Sequence, residues 1–178
     1  RESGFTELLL ANSKHVPDSF VASPFFLEAA DFIEAGLAKA SLAPTNLLEV
    51  GPALGRSCYE LIKRNPTLLN VTLVEPSERL FLNMRKLLLE PGAYAFPYIK
   101  GLKELASIEF DTSAIAATCS HIRFKPINTV FDSMTASDDF DITVCLNVVD
   151  QCEEPTKLVR DLQARTRLNG VLVLSCSY

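Results

Sequence analysis

Apolar positions along the chain follow two alternating rhythms. From Ser23 to about Ala40, the residues Phe25, Phe26, Ala29, Phe32, Ile33 and Leu37 recur at helical spacing. The Ser-Pro start suits an N-cap with proline in the first turn. After Pro44 the rhythm changes, and Asn46 to Val50 reads as a short buried strand. A helix follows from about Arg56 to Lys63 and stops at Asn65-Pro66. Asn70 to Glu75 is the next strand, and Ser77 caps a helix through Phe81, Met84 and Leu88 that ends at Pro91-Gly92. Residues 92–112 have no clear period and read as a loop or small insertion. A short helix from about Thr112 to Thr118 leads to a strand at His121–Lys125. Ile142–Leu146 is a fourth strand, followed by a helix from about Pro155 to Arg167. Asn169-Gly170 reads as a helix stop, and Val171–Ser175 as a fifth strand.

Strands that alternate with helices demand right-handed crossovers and a parallel sheet covered on both faces. Ligands of such sheets bind at the carboxyl ends of the strands, near the point where strand order reverses. Four loops are thereby singled out: those after Val50, Val74, Lys125 and Leu146.

The composition narrows the function classes. At 178 residues with 48% hydrophobic and 22% charged, the chain can bury one core and is not disordered. Its net charge of −5 argues against a non-specific nucleic-acid binder, which needs a basic surface to displace phosphate counterions. No uncharged apolar run is long enough for a membrane span. The five cysteines have no C-x-x-C pair, and only His15 and His121 could complete a metal set, so no metal site is expected. An odd cysteine count, with three of the five in apolar stretches, points to a reduced, cytoplasmic protein. The start at Arg1 reads as a piece of a longer, multidomain polypeptide.

The first loop, LLEVGPALGRSCYEL at residues 47–61, carries the most chemistry. Gly51 and Gly55 bracket small Ala53, and glycine permits positive φ and close backbone approach. The helix after Gly55 presents unpaired N–H groups. A dinucleotide site would want its third glycine at position 56, which is Arg56. An S-adenosylmethionine (SAM) site accepts E/D-x-G-x-G/A-x-G, which fits Glu49, Gly51, Ala53 and Gly55. A plain strand–turn–helix is the other reading. Glu75 ends the second strand twenty positions after Gly55, where a carboxylate can accept both ribose hydroxyls of a nucleoside. An acid favouring a helix dipole is its alternative. Asn128 and Thr129 follow the third strand. The Asn128 amide can pair with an adenine edge or merely form a turn.

In the fourth loop, FDITVCLNVVDQCEEP delivers Asn147 and Asp150 to the sheet edge. With this block the sequence resembles a class I SAM-dependent methyltransferase. It is more closely similar to the C-terminal methyltransferase domain of ovothiol-synthesis enzymes and related imidazole N-methyltransferases. VGPALGRSCYEL resembles that group's glycine loop, NVVDQCEEP its N-[LV]-[IV]-D-x-x-x-x-P signature, and VLVLSCSY its last V-L-T-S-P-Y strand. The stretch from YAFP to HIRFK is similar to the family's long insertion. Protein-histidine methyltransferases share a similar N-L-L-D-R-C element. Gln151 stands where these relatives usually carry arginine, Asn128 where aspartate is common, and Ser177 at the proline of S-P-Y.

The resemblance covers about residues 46–178. It implies a Rossmann-like α/β domain there, without the last strand hairpin; residues 1–45 match no motif of the family and read from their apolar spacing as an N-terminal helical segment. It also implies SAM as cofactor, held by Glu49, Gly51, Ala53, Gly55, Glu75, Asn128, Thr129 and Asn147. The expected partner is a small imidazole compound or a histidine side chain. Asn147 and Asp150 take the imidazole-facing role, with Asp150 accepting the N–H of the non-reacting ring nitrogen or, alternatively, capping a helix. A methyltransferase-fold module serving assembly or regulation, and a methyltransferase for another acceptor, are the rival readings. An NAD-dependent oxidoreductase is disfavoured by Arg56.

Overall fold

The structure, a computed structural model, describes residues 24–100, 104–131 and 139–176. His15, Ser23, Ser177 and Tyr178, which enter the readings above, lie outside the described residues. Helix α1 (Pro24–Ala40) precedes strand β1 (Asn46–Val50), α2 (Arg56–Arg64), β2 (Asn70–Val74) and α3 (Glu78–Leu88). Strands β3 (Ala93–Lys100) and β4 (Glu104–Asp111) come next, then α4 (Ser113–Cys119) and β5 (Arg123–Ile127). The chain continues through β6 (Phe140–Leu146), a 3-10 turn (Val149–Gln151), α5 (Pro155–Arg165) and β7 (Thr166–Ser175).

Five strands form a parallel sheet in the order β5-β2-β1-β6-β7. The α/β, Rossmann-like expectation is met. Val50 lies opposite Val74 on one side and Cys145 on the other, and Val74 lies opposite Ile127. The strand tips therefore end level, and the order reverses between β1 and β6. That reversal is where a parallel sheet opens a crevice.

The alternation of side chains explains why both faces are covered. Leu47, Val71, Leu73, Ile142 and Val144 join one core with Ile33 and Leu37 of α1, Leu61 and Ile62 of α2, and Met84 and Leu88 of α3. Leu48, Val50, Val74 and Cys145 face the other way, onto Leu158 and Leu162 of α5. Both sets are buried, so the strands read as near-continuous apolar runs. Burying one such aliphatic side chain contributes about 1.5–3 kcal/mol.

Three segments depart from the sequence reading. Residues 93–111 form an antiparallel hairpin of two eight-residue strands, paired from Ala93–Asp111 to Lys100–Glu104. Phe96 and Phe110 anchor it in the core and meet edge-to-face at 5.8 Å. Strand β5 begins at Arg123 and runs through Pro126, because it is an edge strand whose outer side needs no N–H donor. Helix α5 ends at Arg165, four residues before Asn169-Gly170. Thr166 turns extended there and its hydroxyl donates to the Leu162 carbonyl at 2.8 Å, satisfying a helix-end acceptor. Asn169, at φ 67°, lies within β7 instead, near the register shift against Phe140 and Ile142.

Candidate functional site

The loop after β1 turns on three left-handed residues, Gly51 at φ 69°, Ala53 at 52° and Gly55 at 77°. Two of these positions must be glycine for packing as well. A Cβ on Gly51 would lie 2.3 Å from Val148, and one on Gly55 would lie 2.4 Å from Leu88. The first loop is thus pressed against the fourth on one side and against α3 on the other. Gly51 N–H donates to the Val74 carbonyl at 2.9 Å, and Glu75 N–H to the Ile127 carbonyl at 3.1 Å, extending the sheet's ladder past the strand tips.

Glu75 lies beside this loop and holds it. Ala53 N–H donates to its Oε2 at 3.0 Å, and Ser77 N–H to its Oε1 at 2.9 Å. A carboxylate offers about four lone-pair sites, so each oxygen keeps acceptor capacity for a ligand hydroxyl. Burial raises the Glu75 carboxyl above its ordinary range, and the two backbone donors pull it back. Glu49, on β1 and only 3% exposed, lies close enough to repel Glu75. Burial chiefly lifts its carboxyl to about 7, against the pull of hydrogen bonds from Ser57 and the Cys58 backbone. Its Oε2 has no hydrogen-bond partner. Two buried acids at adjoining strand tips make this a site that favours a cation.

Asn128 lies just past β5, and its amide donates to the carbonyls of Glu75 at 2.8 Å and Pro76 at 3.3 Å. Its N–H groups thus tie the third loop to the second, and its Oδ1 is left as the group that a ligand can use. Half-buried Thr129 follows on the crossover.

The fourth loop leaves β6 at Asn147, which takes φ 56°, a conformation asparagine tolerates. Its backbone N–H reaches the carbonyl and the hydroxyl of Ser175 at 3.0 and 3.1 Å, and the Ser175 hydroxyl donates to its Oδ1 at 3.0 Å. The Gln151 amide donates back to the Asn147 carbonyl and closes the turn. Asp150 is exposed at the middle of that 3-10 turn. It does not cap α5, whose N-cap is Glu154.

No family model matches the chain, and no curated protein matches it by sequence. Solved structures do. The plantazolicin methyltransferase BpumL, in complex with a triazolic desmethylPZN analog and SAH, is 15% identical with a TM-score of 0.60 over 98% of this chain. CalS10, a SAM-bound amino pentose methyltransferase from Micromonospora echinaspora, is 19% identical with a TM-score of 0.58 over 88%. The sugar N-methyltransferase KedS8 from Streptoalloteichus sp. ATCC 53650 is 16% identical with a TM-score of 0.56 over 98%. The fold is that of the SAM-dependent methyltransferases. This chain spans 60%, 52% and 53% of those three proteins.

On this fold, Glu49 near the end of β1 and the loops carrying Gly51, Ala53, Gly55, Glu75, Asn128, Thr129, Asn147 and Asp150 all lie at the carboxyl edge of one sheet. Sequence reasoning missed three contributors. Ser57 bonds Glu49, Val148 covers Gly51, and Ser175 holds Asn147. Only Ser175 had a readable signal, since a polar residue ending an apolar strand faces the ligand edge. A cleft of about 420 Å³ lies at the opposite, amino edge, lined by Asn46, Asn70, Arg123, Lys125 and Asp139 among others. It carries none of these site residues.

Proposed function

We propose that the chain is the cofactor-binding part of a SAM-dependent N-methyltransferase whose acceptor is an imidazole nitrogen of a histidine-derived compound or a histidine side chain. The observation that carries the cofactor is the clasp between Glu75 and the left-handed loop at 51–55. It leaves carboxylate lone pairs beside a loop whose three left-handed positions are only glycine or alanine, the close backbone approach a ribose needs. The orphaned Oε2 of buried Glu49 fits a ligand that brings positive charge or a donor. Asn128 Oδ1 can accept from an adenine amino group, with Thr129 beside it. The bound cofactor supplies an electrophilic methyl group on a positively charged sulfur.

The acceptor reading rests on the block from Asn147 to Pro155 and its likeness to imidazole N-methyltransferases. An imidazole is partly neutral and nucleophilic at pH 7, with a pKa of about 6.5. The chain's task is then to hold one ring nitrogen in line with the methyl group and exclude water. Such orientation supplies roughly 7–11 kcal/mol in favourable cases. Asp150 accepts the N–H of the other nitrogen, fixes the tautomer and stabilises the growing ring charge.

Calorimetry with S-adenosylhomocysteine tests the cofactor reading. Wild type binds it, and Glu75→Ala binds at least about tenfold more weakly, having lost the charged acceptor. A wild-type protein that takes up neither this nucleoside nor SAM overturns the reading. Methylation of histidine by the wild type tests the acceptor.

A further inference from the structure

We propose that Ser175 is a positioning residue that fixes the polarity of the Asn147 amide, so that Asn147 presents a hydrogen-bond donor and selects a ligand oxygen. The inference rests on the methyltransferase reading and goes beyond it by stating what Asn147 recognises.

The argument is a count of protons. The Asn147 backbone N–H already points at the Ser175 hydroxyl oxygen, at 3.1 Å. That hydroxyl has one proton of its own, and the amide atom beside it lies at 3.0 Å. If that atom is Oδ1, the proton is satisfied. If the amide were reversed, Nδ2 would fill the second lone pair of the same oxygen, and the hydroxyl proton would have to turn away to where no described residue accepts it. A half-buried hydroxyl resists that arrangement, because an unmade hydrogen bond costs about 1–3 kcal/mol. Serine thereby locks Oδ1 toward β7 and turns the two Nδ2 hydrogens the other way. The Gln151 amide, bonded to the Asn147 carbonyl, holds the backbone of the same residue from the opposite side. No other group among the described residues takes the Nδ2 hydrogens.

A donor pair at this place has a defined use. It cannot serve the nitrogen that receives the methyl group, because a hydrogen bond there would occupy the attacking lone pair. It suits an oxygen of the kind a carboxylate carries, either on the amino-acid tail of the cofactor or on the methyl acceptor. The shared requirement is an oxygen that accepts, and Asn147 is then a residue of binding and orientation rather than proton transfer.

The experiment compares wild type, Ser175→Ala and Ser175→Thr with four probes. S-adenosylhomocysteine and 5′-methylthioadenosine, which lacks the amino-acid tail, are titrated by calorimetry. Histidine and histamine, which lacks the carboxylate, are compared by KM and kcat. Ser175→Ala weakens S-adenosylhomocysteine about tenfold with methylthioadenosine unchanged if the oxygen is the cofactor's. It raises the KM for histidine about tenfold with histamine unchanged if the oxygen is the acceptor's. In either case Ser175→Thr restores most of the loss, since threonine keeps the hydroxyl. Equal losses for both members of a pair, no change with any probe, or no rescue by threonine overturns the proposal. A wild type that binds neither nucleoside overturns the methyltransferase reading itself, an outcome distinct from variants that match a wild type that binds.

Discussion

Replacing Glu49 with glutamine removes a charge that the fold resists at neutral pH. The carboxyl is almost wholly covered, and its burial holds it to about 7, against 4.5 in ordinary surroundings. Below about pH 4.5 it is protonated in both folded and unfolded chains and has no effect on stability. As pH rises past that value the unfolded chain ionises first, so stability falls. The fall stops near pH 7, where the folded carboxyl also ionises. A gap of that size corresponds to about 3 kcal/mol at about 1.4 kcal/mol per pH unit. Glutamine keeps the shape and the hydrogen-bonding of the protonated acid and does not titrate. Urea unfolding of wild type and Glu49→Gln from pH 4 to 8.5 measures the difference directly. The two proteins should be similar in stability at pH 4, and the variant should be more stable by roughly 3 kcal/mol at pH 8, or about 6–12 °C in Tm. The raised carboxyl of Glu75 contributes with the same sign in both proteins and largely cancels. A difference between the two that stays flat from pH 4 to 8 refutes the reasoning.

Three further outcomes are expected. Gly55→Ala should lose about 2–5 kcal/mol in urea unfolding, since it adds left-handed strain and a Cβ 2.4 Å from buried Leu88; a loss under 1 kcal/mol means that α3 yields easily. Asp141→Ala should cost roughly 3 kcal/mol, because Asp141 accepts from Thr45 N–H, Thr45 Oγ1 and Asn46 N–H and pairs with Arg167; chemical denaturation reads this, and an unchanged midpoint contradicts it. Asp150→Asn should slow imidazole methylation by at least tenfold and leave S-adenosylhomocysteine affinity within about twofold; equal losses of both point to a structural role.

Much of the fold was legible because period and punctuation agree. Asn46–Val50 is a short run carrying Leu47, Leu48 and Val50 between Pro44 and Gly51, and the helix at 78–88 has a serine before it and Pro91-Gly92 after it. The carboxyl edge followed from topology alone, which led to Glu75 and the fourth loop. The hairpin at 93–111 was hidden by Pro97 and by alternation that needs both strands at once. Tyr94, Phe96 and Phe110 face one core only when paired. Asn169-Gly170 misled because an asparagine at positive φ ends helices and kinks strands equally well. The roles of Ser57 and Val148 depend on contacts between separate segments, and no local pattern encodes them, whereas Ser175 was marked only by its place at the end of an apolar strand. Asp141 carried a signal that passed unread: a lone charge inside FDITVCL must find partners, and it finds them at Thr45 and Asn46.

That latch also governs the order of assembly. Asp141 leaves the ribosome 95 positions after Asn46, a delay of roughly 5–20 s at ordinary elongation rates. Until then the central strand has a neighbour on one side only, and its other edge is a template for any extended segment nearby. The middle of the finished sheet is therefore the nascent chain's open rim. The interval before β6 emerges is when a ribosome-bound chaperone would protect this protein most.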